Sequence, residues 1–394
     1  MPTAKNIAFI SPRFSEQGTV GGAETLLKKL AEHAAAAGRK VTFLTTCAES
    51  HFTWENKIPP GQRRIGNLDV HYFPVDKRDT AAFAQIQQAI CSGGHFTPAD
   101  EETWARNSVN SEALYQHLRE HGADYDRIVM GPYLFGLIIA ASRIHPDKTI
   151  LVPCLHDEAF AYLGLMKKMF AAVRGLMFNA EPEQDFARRI FDIPDSKCSV
   201  VGMGIDPFQA DPKSFAARRG LTSPYLMYSG RREGGKGTPL LCEYVNAFRE
   251  RTGKDIKLVF TGSGPIEAPS ELVPHILDLG FVSEQEKHDA MAGALAFVHP
   301  STLESFGIVL LESFLAGTPA LVHAGSEVLR WQCRKSGGGL WFRHYPDFEE
   351  ELSLLLSNED LRKRMGAAGR EYVQKEYSWE SVEKRLFDAL DRNG

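Results

Sequence analysis

Short apolar, β-branched runs alternate with helix-length stretches almost from end to end of this 394-residue chain. Runs at 6–10, 40–45, 68–73, 127–130, 149–153, 175–178 and 199–201 make one series. After an interruption, runs at 225–228, 257–261, 276–279, 296–299, 319–322 and 340–342 make a second. Strands this short and this apolar are buried on both faces, which parallel sheets covered by helices achieve. The pattern therefore predicts an α/β chain with two doubly wound parallel-sheet domains. The break lies in 202–222, where Gly204, Pro207, Pro212 and a polar stretch at 214–220 interrupt the alternation. This gives domains 1–205 and 206–377, followed by an amphipathic helix, 378–394, with Trp379, Val382, Leu386 and Leu390 at helical spacing. The region 77–122 is less regular and reads as one or two helices around Gly93-Gly94.

In open parallel sheets, ligands bind beyond the carboxyl ends of the strands. The richest segment there is Glu304-Ser305-Phe306-Gly307-Ile308-Val309-Leu310-Leu311-Glu312, with two carboxylates eight positions apart. The residues after Gly307 leave no polar face, so a helix buried on every side is expected. An ionised Glu312 inside it needs a partner or a hydrogen bond. Glu304 precedes the helix, where backbone N–H groups are free and the dipole end is positive. Such a site suits a ligand carrying both a phosphate and sugar hydroxyls.

The loop Ser229-Gly230-Arg231-Arg232-Glu233-Gly234-Gly235-Lys236-Gly237 follows a predicted strand, and Arg231 and Lys236 can aim two cations at one phosphate. It nearly matches a Walker A motif, but Gly237 stands where Ser or Thr would ligate magnesium, and no Walker B Asp ends the next strand. Gly262-Ser263-Gly264-Pro265 and Gly280-Phe281-Val282 are further turns at strand ends. They are either tight connections or places where backbone approaches a nucleotide. Gly18-Thr19-Val20-Gly21-Gly22-Ala23-Glu24 lacks the G-x-G-x-x-G fingerprint but places a double glycine at a helix start. His156 follows the strand at 149–153. Asp124-Tyr125-Asp126 resembles a metal-binding D-x-D but precedes its strand, so it reads as a turn, and no metal is expected.

Composition narrows the classes. A net charge of -5 gives no basic footprint for nucleic acid. The six cysteines include no C-x-x-C pair and are expected to be reduced thiols. Pro12 and Arg13 cut short the first apolar run, so no signal peptide is expected. The amphipathic, basic segment 162–172 offers a weak peripheral contact with an anionic membrane, although a crossover helix is the favoured reading. The localisation expected is cytoplasmic, extending to the inner membrane face.

Taken in order, these pieces resemble the retaining GT-B glycosyltransferases of family 4. The matching residues are Gly21-Gly22-Ala23-Glu24, His156, Gly230-Arg231 with Lys236-Gly237, Gly262-Ser263-Gly264-Pro265, and the E-x7-E segment between Pro300 and Pro319. The resemblance implies two Rossmann-like domains facing an interdomain cleft, with the second binding the donor and the final helix packing back on the first. It implies that Arg231 and Lys236 neutralise a diphosphate, that Glu312 accepts ribose hydroxyls, and that Glu304 contacts the donor sugar. Ser305 and the backbone of Phe306, Gly307, Ile308 and Val309 would line the sugar and phosphates, alongside Gly262 and Gly264. Val282 would border the base, Gly22 would close over the phosphates, and His156 would meet the transferred sugar. Ala324-Gly325-Ser326-Glu327 departs from the family's Gly-Gly-x-x-Glu, so the sugar stays open.

The implied reaction moves a hexosyl unit from a UDP-, GDP- or ADP-sugar to the hydroxyl of a sugar, glycan or lipid-linked acceptor. No other cofactor is implied, and polysaccharide or glycoconjugate synthesis is the setting by analogy. A GT-B nucleotide-sugar epimerase and a non-catalytic sugar-nucleotide-binding module are the alternatives.

Overall fold

The computed structural model describes residues 4–16 and 21–392. Residues 18–20 of the amino-terminal glycine segment lie outside it. The chain divides into two compact units, Met1–Met203 with Val382–Gly394, and Gly204–Ser381.

The first unit contains β1 (Asn6–Ile10), β2 (Lys40–Thr46), β3 (Gly61–Ile65), β4 (Leu68–Phe73), β5 (Arg127–Met130), β6 (Thr149–Leu151), β7 (Gly175–Phe178) and β8 (Cys198–Val200). Their order is β3-β4-β2-β1-β5-β6-β7-β8. The second contains β9 (Tyr225–Ser229), β10 (Lys257–Thr261), β11 (Ile276–Asp278), β12 (Ala296–His299), β13 (Ala320–His323) and β14 (Gly339–Phe342), in the order β11-β10-β9-β12-β13-β14. Strand order reverses beside β1 in one sheet and beside β9 in the other, and those switch points open ligand crevices at the carboxyl ends. The core is the predicted one: Ile7 to Ile10, Leu226 to Tyr228 and Leu258 to Phe260 are all essentially inaccessible.

The first sheet departs from expectation at its edge. β3 pairs antiparallel with β4. Its sequence, Gly-Gln-Arg-Arg-Ile, carries no apolar run because it is an exposed edge strand, where charge discourages further pairing. Region 77–122 forms three helices rather than one or two: Thr80–Cys91, Pro98–Asn107 and Glu112–His121. Asp79 and Ser111 cap the first and third, and Thr97 with Asp100 forms a capping box on the second.

The unit division falls after Met203 rather than Ile205, and the return point is Val382 rather than Ser378. Trp379 belongs to the second unit because its indole fills the space beside Gly204 and its Nε1 donates to Asp206 at 2.7 Å. The rest of the helix Trp379–Asp391 packs in the first unit: Arg39 pairs with Asp391 at 2.7 Å, and Arg385 Nε donates to the Val201 carbonyl. The segment suggested for membrane contact is the helix Gly164–Ala172, whose Leu165, Met166, Met169 and Phe170 are buried in the core. It therefore presents no apolar face. Among the described residues, no helix is long and apolar enough to cross a membrane. No disulfide joins any of the six cysteines.

Candidate active site

The glycine-rich turns of the second unit are shaped first by each other. β9, β10 and β11 end side by side, and their loops pack backbone against backbone. At Gly262 (φ 107°) a Cβ would stand 2.1 Å from the Gly230 carbonyl oxygen, and at Gly264 (φ 103°) 2.4 Å from that of Arg232. The glycines expected to approach a nucleotide are thus required by loop-on-loop contact.

Arg232, absent from the expected set, ties this layer together. It is 6% exposed, its Nε donates to the Gly264 carbonyl at 2.7 Å, and its Nη1 meets Asp278 Oδ1 at 2.7 Å. The same Asp278 oxygen accepts from the Gly280 N–H. Next to the buried Arg232, Arg231 faces outward. Arg231 is about half exposed, with Glu233 3.5 Å away.

Lys236 points toward the acidic segment. A short turn, Gly234–Lys236, and a left-handed Gly237 deliver it to the start of the helix Thr238–Thr252. Gly237 cannot carry a side chain, because a Cβ there would sit 2.7 Å from the Pro300 carbonyl oxygen. Lys236 Nζ lies 2.7 Å from Glu304 Oε1. Two predicted site residues, 68 positions apart, are therefore in direct contact. Behind them, His299 at the end of β12 places Nε2 3.6 Å from Glu304. Burial lowers the His299 pKa against the opposing pull of Glu304.

Past Glu304 the chain turns at Gly307 (φ 86°) into the helix Ile308–Ala316. The helix is not buried on every side. Ile308, Val309, Glu312 and Ala316 form a half-buried stripe, whereas Leu310, Leu311, Phe314 and Leu315 are buried. Ser305 and Phe306 are buried too, Phe306 edge-on to Tyr377.

Glu312 has found the partner that its environment requires. Lys287, on the helix Glu284–Gly293, lies 3.0 Å from its carboxylate, and His288 Nε2 lies 4.0 Å away. Burial pushes the Glu312 pKa up, but His288 and the Lys287 ammonium outweigh it and leave it lowered. Burial pulls Lys287 down, and Glu312 and Glu284 more than offset that. One Glu312 oxygen, Oε2, lacks a hydrogen-bond donor of good geometry. Glu284, His288 and Glu312 bring potential metal-ligand atoms within 4.8 Å of one another. Lys287 already supplies that cluster's positive charge, at 2.7 Å from Glu284 and 3.0 Å from Glu312. Val282 is half-buried next to Phe281, which is 81% exposed. Lys287 and His288 went unread because nothing local links them to Glu312.

Gly22 and His156 belong to the first unit. Gly22 opens the helix Gly22–Ala36, and Glu24 within it is buried against Arg13, whose Nε donates to it at 3.0 Å. His156 lies past β6 on a turn in which Cys154 adopts φ 51°, a conformation that side chains resist. The fully buried Glu183 holds that turn, accepting the Leu155 and Asn179 N–H groups at 2.6 Å each. Glu158 lies 3.5 Å from His156 Nδ1 and accepts the Tyr133 hydroxyl at 2.8 Å, so a carboxylate anchored from behind faces the imidazole. Asp126 of the D-x-D segment instead accepts the Lys5 and Asn6 N–H groups, as a turn residue would.

Residues 210–372 match the glycosyl transferases group 1 family. The match falls inside the second unit. A phosphatidyl-myo-inositol mannosyltransferase of Mycobacterium leprae is 31% identical over 192 residues, covering 47% of this chain and 50% of that protein. A D-inositol 3-phosphate glycosyltransferase of Nocardioides is 27% identical over 417 residues, covering 95% and 86%. The chain spans about half the length of most curated relatives it matches. A solved sucrose-phosphate synthase of Thermosynechococcus elongatus superposes with a TM-score of 0.74 at 17% identity, covering 97% of each chain. The fold is GT-B, and β9, β10 and β12 with the loops after them lie within the matched residues.

Proposed function

We propose that this protein is a metal-independent, retaining glycosyltransferase that moves a hexosyl unit from a nucleotide-diphosphate sugar to an acceptor hydroxyl. The observation that carries this reading is the Lys236–Glu304 contact immediately before the amino end of the helix Ile308–Ala316. A cation, a carboxylate and free helix N–H groups together suit a ligand that is anionic at one end and hydroxylated at the other.

Cleaving the sugar–phosphate bond builds positive charge on the sugar and negative charge on the leaving diphosphate. Lys236, Arg231 and the helix terminus stabilise the diphosphate. Glu304 accepts from the sugar's hydroxyls, and Oε2 of Glu312 accepts from the ribose. Exposed Phe281 beside Val282 offers the base an apolar surface. His156, oriented by Glu158, serves the transferred sugar. The departing diphosphate takes the acceptor's proton.

Relatives named for phosphatidylinositol and inositol phosphate acceptors favour a lipid-linked or phosphorylated acceptor, used in glycoconjugate synthesis at the cytoplasmic membrane face. The test is turnover of UDP- and GDP-hexoses by the wild type and Lys236→Ala, followed as released nucleotide. A loss of about a hundredfold or more is expected. Near-normal turnover in Lys236→Ala would remove the charge-stabilising role, and no transfer from any nucleotide sugar would remove the activity.

A further inference from the structure

We propose that His71, His117 and His121 form a binding site for a divalent transition metal of the zinc class, in a cavity of the first unit separate from the carboxyl ends of its strands. The cavity measures about 620 Å³, and its lining includes Asn6 and Lys40, the first residues of β1 and β2. The ligands are imidazoles, which suit zinc, copper and nickel.

Two of them sit four positions apart on the helix Glu112–His121 and so share one face. Their rings lie 4.8 Å apart between centroids, and the His71 ring, from β4, lies 5.5 Å from His117. Two imidazoles on one tetrahedral ion, at ~2.0–2.1 Å per bond, have centroids about 5 Å apart. As they stand these three do not bring ligand atoms within 4.8 Å of one another, so the exposed His121 side chain has to turn toward the other two to complete the set. Tyr125 Oη lies 3.1 Å from His117 Nε2, which leaves Nδ1 as the open nitrogen; such an outer partner is the usual companion of a ligating histidine.

The surrounding charge favours a cation over a phosphate. The carboxyl-terminal turn of a helix carries the negative end of its dipole, and His121 lies in that turn, beside Arg119, which Glu112 pairs at 2.6 Å. Asp124 Oδ2 is 3.8 Å from His121 Nδ1. The arginines of the lining are matched by carboxylates, Arg64 by Asp69 at 2.7 Å and Arg63 by Glu16 at 3.3 Å. Lys40, the remaining cation, is exposed to solvent screening.

The test titrates the full chain with zinc chloride by calorimetry at neutral pH, alongside melting curves. A single ion should bind with micromolar affinity and raise the melting temperature by mass action. His121→Ala, which removes an exposed ring, and His117→Gln, which keeps a polar group beside Tyr125, should each weaken binding at least about tenfold. Circular dichroism checks that both variants fold. No zinc binding by the wild type would overturn the proposal, as would wild-type affinity in both variants. So would loss of binding in Glu284→Gln instead, which would assign the ion to the Glu284–His288–Glu312 cluster.

Discussion

Lys287→Met is the sharpest perturbation of the candidate site, because it leaves the Glu312 carboxylate without its cation while keeping the bulk of the side chain. The two charges are 3.0 Å apart and only 13% and 12% exposed. At an effective dielectric of ~20 their attraction is about 5 kcal/mol, and removing one partner of a buried pair costs about 3–5 kcal/mol. Glu312 can limit the damage by taking up a proton, so a loss of about 3 kcal/mol at neutral pH is expected. Glu284 contacts the same lysine but is 67% exposed, so Glu284→Gln should cost less than about 1 kcal/mol.

The pH dependence has a definite sign. The folded pKa of Glu312 lies below its unfolded value of 4.5, so its contribution is full above that value and lost as pH falls through the folded one. The Lys287 pKa is raised above 10.5, so its contribution is full below that value and lost as pH rises through the folded one. Urea unfolding across pH should therefore show the widest gap between wild type and Lys287→Met at neutral pH, closing in acid. A gap under about 1 kcal/mol at neutral pH, or one that stays constant into acid, would refute the ion-pair account.

Glu183 runs the opposite way. Burial pushes its pKa up to about 8 from 4.5, against the pull of the Asn179 and Leu155 N–H groups. Its contribution is present below 4.5 and declines as pH rises to about 8, so Glu183→Gln should flatten the stability profile in that window. An unchanged slope in urea titrations there would contradict this. Gly262→Ala should cost several kcal/mol and weaken nucleotide binding, because its Cβ would meet the Gly230 carbonyl at 2.1 Å with φ at 107°. Gly220→Ala, also at positive φ but with nothing within 4 Å, should cost only about 1 kcal/mol; equal thermal shifts in the two would disprove the loop-packing argument.

The strands were legible because burying both faces of a parallel strand imposes a purely local rule, a short apolar run bounded by turns. β3 escaped because an edge strand is exempt from that rule. The three helices in 77–122 were marked by Asp79, Thr97 and Ser111, but their caps signal only starts, and their weakly apolar faces blurred the count. Glu312 announced through its apolar surroundings that it required a partner.

Which partner it would take was not written in any neighbouring residue. Lys287, 25 positions earlier, becomes that partner only when two helices of the second unit pack together. Lys236 reaches Glu304 across 68 positions in the same way. The inward turn of Arg232 and the need for glycine at 262 and 264 also arise where loops from separate strands meet. The sequence by itself settled which segments had to be buried and where charge would be costly. Only the tertiary structure decided how each charge was matched, because pairing depends on distances in space that separation along the chain does not encode.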